Sequence, residues 1–367
     1  MGFHAQYGRV VRIMARWPAA CERFLAMSGA AVPIVQAPMA GSGGTALAIA
    51  AMRGGAVGSL PAALLSPEQL RAQVAEVRAA VDGPLNLNVF CHSLPDPPDE
   101  SAWLALLAPY FAEEAVSPGA PAPLRRPFDD ALCAVVEALR PTFASFHFGL
   151  PDDALLARVR AAGVRILASA TTAAEAHWLA EKGCDAVILQ GAEAGGHAGW
   201  FLGARHEPTP LADLLRARPE VPVIAAGGIV DGADMAAALR AGASAVQIGT
   251  AYLATPQSAI SPAYRALLGT PAAADAAFTN LLTGREARGI RNRLMRELGP
   301  IRPEAPAFPY ASNGLAPLRA KADAEGRADY ASLWTGTGGP RVVAQDAEAL
   351  TRGVAQAALA ALETENG

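Results

Sequence analysis

Ala186-Val187-Ile188-Leu189-Gln190 is an uninterrupted apolar run ending in an amide, and Gly191-Ala192-Glu193-Ala194-Gly195-Gly196-His197 follows it directly. A strand that is apolar on both faces needs cover on both faces. A parallel sheet flanked by helices supplies that, and a half-exposed antiparallel strand does not. Upstream, residues 172–182 have helical period and stop at Gly183, a C′ glycine; downstream, residues 222–226 form another apolar run that ends at Gly227-Gly228. The repeating unit is therefore strand, glycine-bearing turn, helix, strand.

The same unit recurs along the chain, with strands predicted at residues 32–39, 56–60, 85–90, 143–148, 165–170, 186–190, 222–226 and 245–249. Eight such units in roughly 250 residues match a closed (β/α)8 TIM barrel. An open doubly wound sheet is the other arrangement of the same elements. Helix signals agree: Ser66-Pro67-Glu68 offers a hydroxyl N-cap with Pro at N1, and residues 231–240 close at Gly242. Two stretches exceed the repeat. Residues 92–140, with Pro-rich pieces at 94–98 and 117–127, are predicted to cross one rim. Residues 255–337 are predicted to form a small, mainly helical cap inserted after strand eight, with 285–296 as a basic helix. The Ala-rich stretch 344–362 then returns as the last barrel helix. The organisation expected is an N-terminal arm and helix at 1–30, a cofactor-binding barrel at 31–254, a cap or substrate subdomain at 255–337 and the returning helix at 338–367.

Composition narrows the function. The 367 residues are 52% hydrophobic, enough for a large core, and 30 basic against 34 acidic residues give a net charge of −4, without the basic surplus that collects nucleic acid. Cys21, Cys91, Cys133 and Cys184 are far apart and form no metal or disulfide spacing, which suits buried thiols in a reducing, cytoplasmic setting. No apolar run reaches the ~18–20 residues that cross a bilayer. Arg9, Arg12 and Arg16 imitate a signal n-region, but Pro18 and Glu22 stand where its apolar core should be. Residues 1–17 read as an arm or an over-extended gene start and receive no function.

In a barrel of this kind, chemistry sits at the carboxyl ends of the strands. Met39, Asn88, His147, Ser169, Gln190, Gly195, Gly196, His197, Gly227, Gly228, Gln247, Gly249 and Thr250 fall there. Amides from strands three and six can bond a flat heteroaromatic ring. The glycine-bearing ends of strands seven and eight can present backbone N–H groups to a phosphate. A phosphorylated planar cofactor fits both. His197, on a glycine-softened loop, is the candidate base: an imidazole titrating near neutrality can remove a carbon-bound proton. His147 and Ser169 are substrate-side candidates, His92 is more easily a structural residue, and His4, His177 and His206 read as solvated or capping. Met39 packs as core or touches the cofactor.

Other chemistries lack their parts. Gly41-Ser42-Gly43 with Ala46 imitates a dinucleotide fingerprint, but no acidic residue ends the second strand. Lys182 and Lys321, the only lysines, lie away from strand ends, so a Schiff base has no donor. No metal spacing, nucleophile elbow or Walker loop occurs.

Taken together, residues 33–39, Asn86-Leu87-Asn88-Val89-Phe90-Cys91-His92, the Gln190-to-His197 segment, residues 223–229 and 247–252, and Thr283-Gly284-Arg285-Glu286-Ala287-Arg288-Gly289-Ile290-Arg291-Asn292-Arg293 resemble the nitronate monooxygenase family, formerly the 2-nitropropane dioxygenases. The resemblance covers nearly everything beyond residue 30. It implies FMN as cofactor, contacted by Asn88, Gln190, Gly195, Gly228 and the Gln247-to-Thr250 turn, with His197 as base and no metal. It also implies oxidation of an alkyl nitronate, or of a nitroalkane after loss of its α proton, by dioxygen to a carbonyl compound and nitrite. Two departures bear on the substrate pocket. Trp334-Thr335-Gly336-Thr337 stands where the family has Trp-x-Gly-Gln, and residues 198–220 carry Arg205, His206 and Glu207 in place of an apolar connection. An FMN-dependent enoyl-thioester reductase using NAD(P)H and a catalytically silent flavin-binding component are the competing readings. Whether the chain is a monomer or a homodimer stays open.

Overall fold

The computed structural model describes residues 17–119 and 124–364; all of the arm read at 1–17 but Trp17, and the last three residues, lie outside these. Parallel strands β1 (Ile34–Gln36), β2 (Gly58–Pro61), β3 (Leu85–Phe90), β4 (Phe143–His147), β5 (Arg165–Ala170) and β6 (Ala186–Gln190) are followed by the two-residue β7 (Gly196–His197), and then by parallel β8 (Val223–Ala226) and β9 (Ala245–Ile248). The eight longer strands form one sheet in the order β1-β9-β8-β6-β5-β4-β3-β2. Val35 bridges Val57, and Val57 exchanges 2.9 Å backbone hydrogen bonds with Ile34 and Gln36, so the two edges meet and the sheet closes as a TIM barrel. The open-sheet alternative is thereby removed.

Strand alternation explains the interior. Val187 and Leu189 of β6 face outward into the main apolar core beneath the helices, whereas Ala186 and Ile188 join Val35, Val57, Phe143, Leu167, Ile224 and Ala245 inside the barrel. Phe24, on the helix Ala19–Ser28, plugs the bottom of this interior and stacks on Phe143 with centroids 6.3 Å apart. One step above the apolar layer, the same inward register carries polar residues: Asn88, His147, Ser169, Gln190 and Gln247. The barrel is dry at its base and polar at its mouth.

The predicted last barrel helix is present as Ala347–Glu363, packed on the helices Gly232–Arg240 and Thr45–Arg53. Residues 285–296 are corrected. They are not one helix: β10 (Ala276–Thr279) and β11 (Ala287–Ile290) form an antiparallel sheet with β7, and the helix Arg293–Leu298 starts only after Asn292, whose side chain caps Met295 N–H at 2.9 Å. The backbone packs too closely here for a helix, since a Cβ on Gly289 would lie 2.8 Å from the Leu333 carbonyl. The rim excursion also belongs physically with the cap. Trp103, Leu107 and Tyr110 of the helix Ser101–Glu113 share one apolar cluster with Leu315, Leu318 and Tyr330, and Trp103 Nε1 donates to the Ala311 carbonyl at 3.2 Å.

Candidate active site

The barrel mouth encloses a cavity of about 1250 Å³ of non-atom space, its opening included. Met39, Asn88, His147, Ser169, Gln190, Gly195, Gly196, His197, Gly227, Gly228, Gln247, Gly249 and Thr250 all line it. The structure thus brings every residue expected from the strand ends to one place. Phe90, Arg125, Tyr264, Trp334, Gly336 and Gly338 also line it and were not foreseen as site residues. Phe90 ends β3, and the others come from the rim excursion and from segments after β9, where no local pattern announces a cavity wall.

The floor is polar and partly unspent. Asn88 Nδ2 donates to Ser145 Oγ at 3.0 Å and to its carbonyl at 3.2 Å, while Gln247 Oε1 is buried with no donor among the described residues. A buried acceptor left unpaired costs roughly 1–3 kcal/mol, which a ligand N–H placed against it removes. Beside Gln247, the turns after β8 and β9 approach the residues that follow Trp334. Gly228 has φ +72°, and Thr337 Oγ1 would lie 3.2 Å from a Cβ built on it. Gly336 N–H donates to Thr250 Oγ1 at 3.0 Å. Gly195 packs so close to this segment that a Cβ would fall 2.5 Å from the Thr335 carbonyl carbon. These bare-backbone turns and the orphaned amide oxygen fit a phosphorylated planar ring lying across the mouth.

His197 is more firmly held than a glycine-softened loop suggests. It lies in β7, with Ala287 of β11 opposite it. Its carbonyl accepts from Gln190 Nε2 at 2.8 Å and from His147 Nε2 at 3.2 Å, and Gln190 Oε1 accepts Gly199 N–H at 2.8 Å. Because a carbonyl can only accept, His147 carries its proton on Nε2. His197 Nε2 contacts Thr283 Oγ1 at 2.9 Å, and the imidazole is ringed by Phe90, Phe148, Phe308 and Trp334 at centroid distances of 6.1, 6.0, 5.4 and 5.5 Å.

The expected near-neutral titration of His197 is corrected by this setting. Burial holds its pKa well below the ordinary histidine value, and the nearby Arg125, His147 and Arg285 push it the same way. Burial likewise brings His147 and His92 down to about 4. No carboxylate lines the cavity among the described residues, so nothing pairs with an imidazolium. Arg285 stacks 4.2 Å from the centroids of both Phe148 and Trp200 and donates to the Trp200 carbonyl. His92 serves a structural role, with its Nε2 on the Arg125 carbonyl at 3.1 Å. His206, expected to be solvated or capping, is buried against Phe278 and pairs with Glu286 at 3.2 Å, behind the His197 strand. His177 is exposed and His4 lies outside the described residues. No metal-holding cluster occurs among the described residues, and no helix there is long and apolar enough to cross a membrane.

The family model described as nitronate monooxygenase matches residues 22–348. A nitronate monooxygenase of Pseudomonas aeruginosa is 41% identical over 329 residues, covering 86% of this chain and 93% of that protein. Among solved structures, the nitroalkane oxidase from Streptomyces ansochromogenes matches with a TM-score of 0.84 and 35% identity, covering 94% of this chain and 99% of that one. FabK from Thermotoga maritima matches with a TM-score of 0.70 and 23% identity over 94% of this chain and 98% of that one, a likeness of fold alone.

Proposed function

Because this chain belongs to the nitronate monooxygenase family, a family of flavin-dependent oxidoreductases, we infer that it oxidises alkyl nitronates by dioxygen to a carbonyl compound and nitrite, with FMN as the flavin. The observation that supports this most directly is the cavity at the barrel mouth, lined by Gln247, whose buried amide oxygen has no donor among the described residues, and by the bare-backbone turns that follow β8 and β9. Asn88, Gln190 and Gln247 would hold the ring edge, with Met39, Gly195 and Gly196 along it, and His147 and Ser169 would stand on the substrate side. Gly227, Gly228, Gly249 and Thr250 would hold the phosphate. When bound, the flavin accepts electrons from the nitronate and delivers them to dioxygen.

The chain's own residues position and desolvate. Gln190 and His147 fix the His197 backbone, and four aromatic rings exclude water around its imidazole. Where Thr283 donates to the Arg285 carbonyl at 3.3 Å, its oxygen accepts His197 Nε2–H, and Nδ1 keeps the lone pair that takes the α proton of a neutral nitroalkane. A base so strongly disfavoured from charging takes that proton reluctantly. The setting therefore favours substrate that arrives already deprotonated. A small apolar nitronate, dioxygen and a cytoplasmic location complete the reading.

The test is spectroscopic. The purified protein should be yellow, release FMN on heating, bleach on anaerobic addition of a nitronate and form nitrite when air returns. Rapid anaerobic bleaching by NADPH or NADH with no response to nitronate would point instead to an enoyl-thioester reductase. Bound flavin unresponsive to either would mark a silent binding component.

A further inference from the structure

Arg125 is a cation on the cavity wall. It sits in the segment joining β3 to the helix Asp130–Leu139, and two hydrogen bonds seat that segment on the barrel mouth. Phe128 N–H donates to the Phe90 carbonyl at 2.7 Å, and His92 Nε2–H donates to the Arg125 carbonyl at 3.1 Å. Its guanidinium reaches the cavity without an ion pair or hydrogen-bond acceptor among the described residues. Its charged neighbours are of the same sign. Arg285 lies between Phe148 and Trp200, and Arg319 is spent on the carbonyls of Tyr330 and Leu282. Glu175 and Glu286, the acids nearest Arg285, do not line the cavity.

A partly buried guanidinium with no counter-charge is costly unless an anion completes it. Its planar fork of N–H donors matches two oxygens on one atom. We propose that Arg125 binds the two oxygens of the nitronate group, so that the cavity selects the nitronate anion over the neutral nitroalkane. This rests on the function proposed above and names the residue that gives that site its charge preference. Nitrite, the O–N–O anion released in the reaction, presents the same pair of oxygens and should bind there too.

Flavin-loaded wild type, Arg125→Gln and Arg125→Lys are compared on propyl-2-nitronate, which bears no other charge, at fixed ionic strength. Nitrite is titrated into each oxidised protein while the visible band of the bound flavin is followed. Arg125→Gln should raise KM about tenfold or more with kcat changed less than about threefold, and weaken nitrite binding by a similar factor. Arg125→Lys should recover part of both. Unchanged KM and unchanged nitrite binding in a flavin-loaded, normally melting Arg125→Gln protein overturn the proposal. If Arg125→Gln does not fold, Arg125→Lys decides: a raised KM with kcat kept supports the forked contact, and an unchanged KM overturns it. If wild type turns over no nitronate, the functional reading fails, and the nitrite titration still decides the role of Arg125 on its own.

Discussion

Gln190 and His197 are joined through the main chain of one and the side chain of the other: Gln190 Nε2 donates to the His197 carbonyl at 2.8 Å, while Gln190 Oε1 takes Gly199 N–H at 2.8 Å. One carboxamide at the end of β6 thus closes the loop that carries the candidate base. Removing it leaves a carbonyl and an N–H without this partner. Gln190→Ala should cost about 1–3 kcal/mol of stability in urea unfolding and lower kcat on nitronate. Unchanged unfolding would mean that β7 and β11 hold the loop unaided.

His197→Ala separates the two substrates. The variant should keep its flavin and its turnover of preformed nitronate, while turnover of the neutral nitroalkane falls by about 10²-fold or more, the usual scale for a positioned base. Steady-state oxygen uptake on both forms is the measurement, and equal losses on both would remove the assigned role.

The buried histidines give the protein an acid limit. His92 and His147 have folded-state pKa values of about 4 against an ordinary value of 6.5. The unfolded chain therefore binds more protons between these values, and stability is full above about pH 6.5 and declines as pH falls toward 4. The melting temperature should be flat from pH 7 to 8 and drop below 6.5. His92→Gln, which keeps a side-chain N–H for the Arg125 carbonyl but cannot titrate, should drop less steeply. A wild-type melting temperature independent of pH down to 4 would contradict the buried, neutral state.

Gly195 tests the close approach between the loop after β6 and the segment that follows Trp334. In Gly195→Ala the new Cβ must displace the Thr335 backbone, 2.5 Å away, because neither side is a flexible side-chain tip. Overpacking of this kind costs typically 1–3 kcal/mol. The purified variant should show a lower ratio of flavin to protein absorbance and a reduced melting temperature. Full flavin content with wild-type stability would show that the segment yields easily.

Much of this is legible in the sequence. Ala186, Ile188 and Gln190 share a face because strand side chains alternate, so an apolar run ending in an amide already says that the barrel interior turns polar at its mouth. Glycines after consecutive strands likewise mark bare backbone at one rim. The stretch 285–296 misled because its charges and spacing suit a helix, while what makes residues 287–290 a strand is pairing with β10 and β7, elements distant in the chain.

The alternation of eight strands with helices, and the placing of Asn88, His147, Ser169, Gln190 and Gln247 at strand ends, follow from local alternation and turn chemistry, which each stretch of chain carries within itself. Closure of the sheet is decided by Val35 meeting Val57 across its two edges. Nor is the charge state of His197 carried locally. It depends on Phe308 and Trp334 arriving from beyond the barrel, on Arg125 arriving from the rim excursion, and on the absence of any carboxylate among the residues gathered there. Solvation and Coulomb energies depend on distance in space, and only the tertiary structure sets those distances.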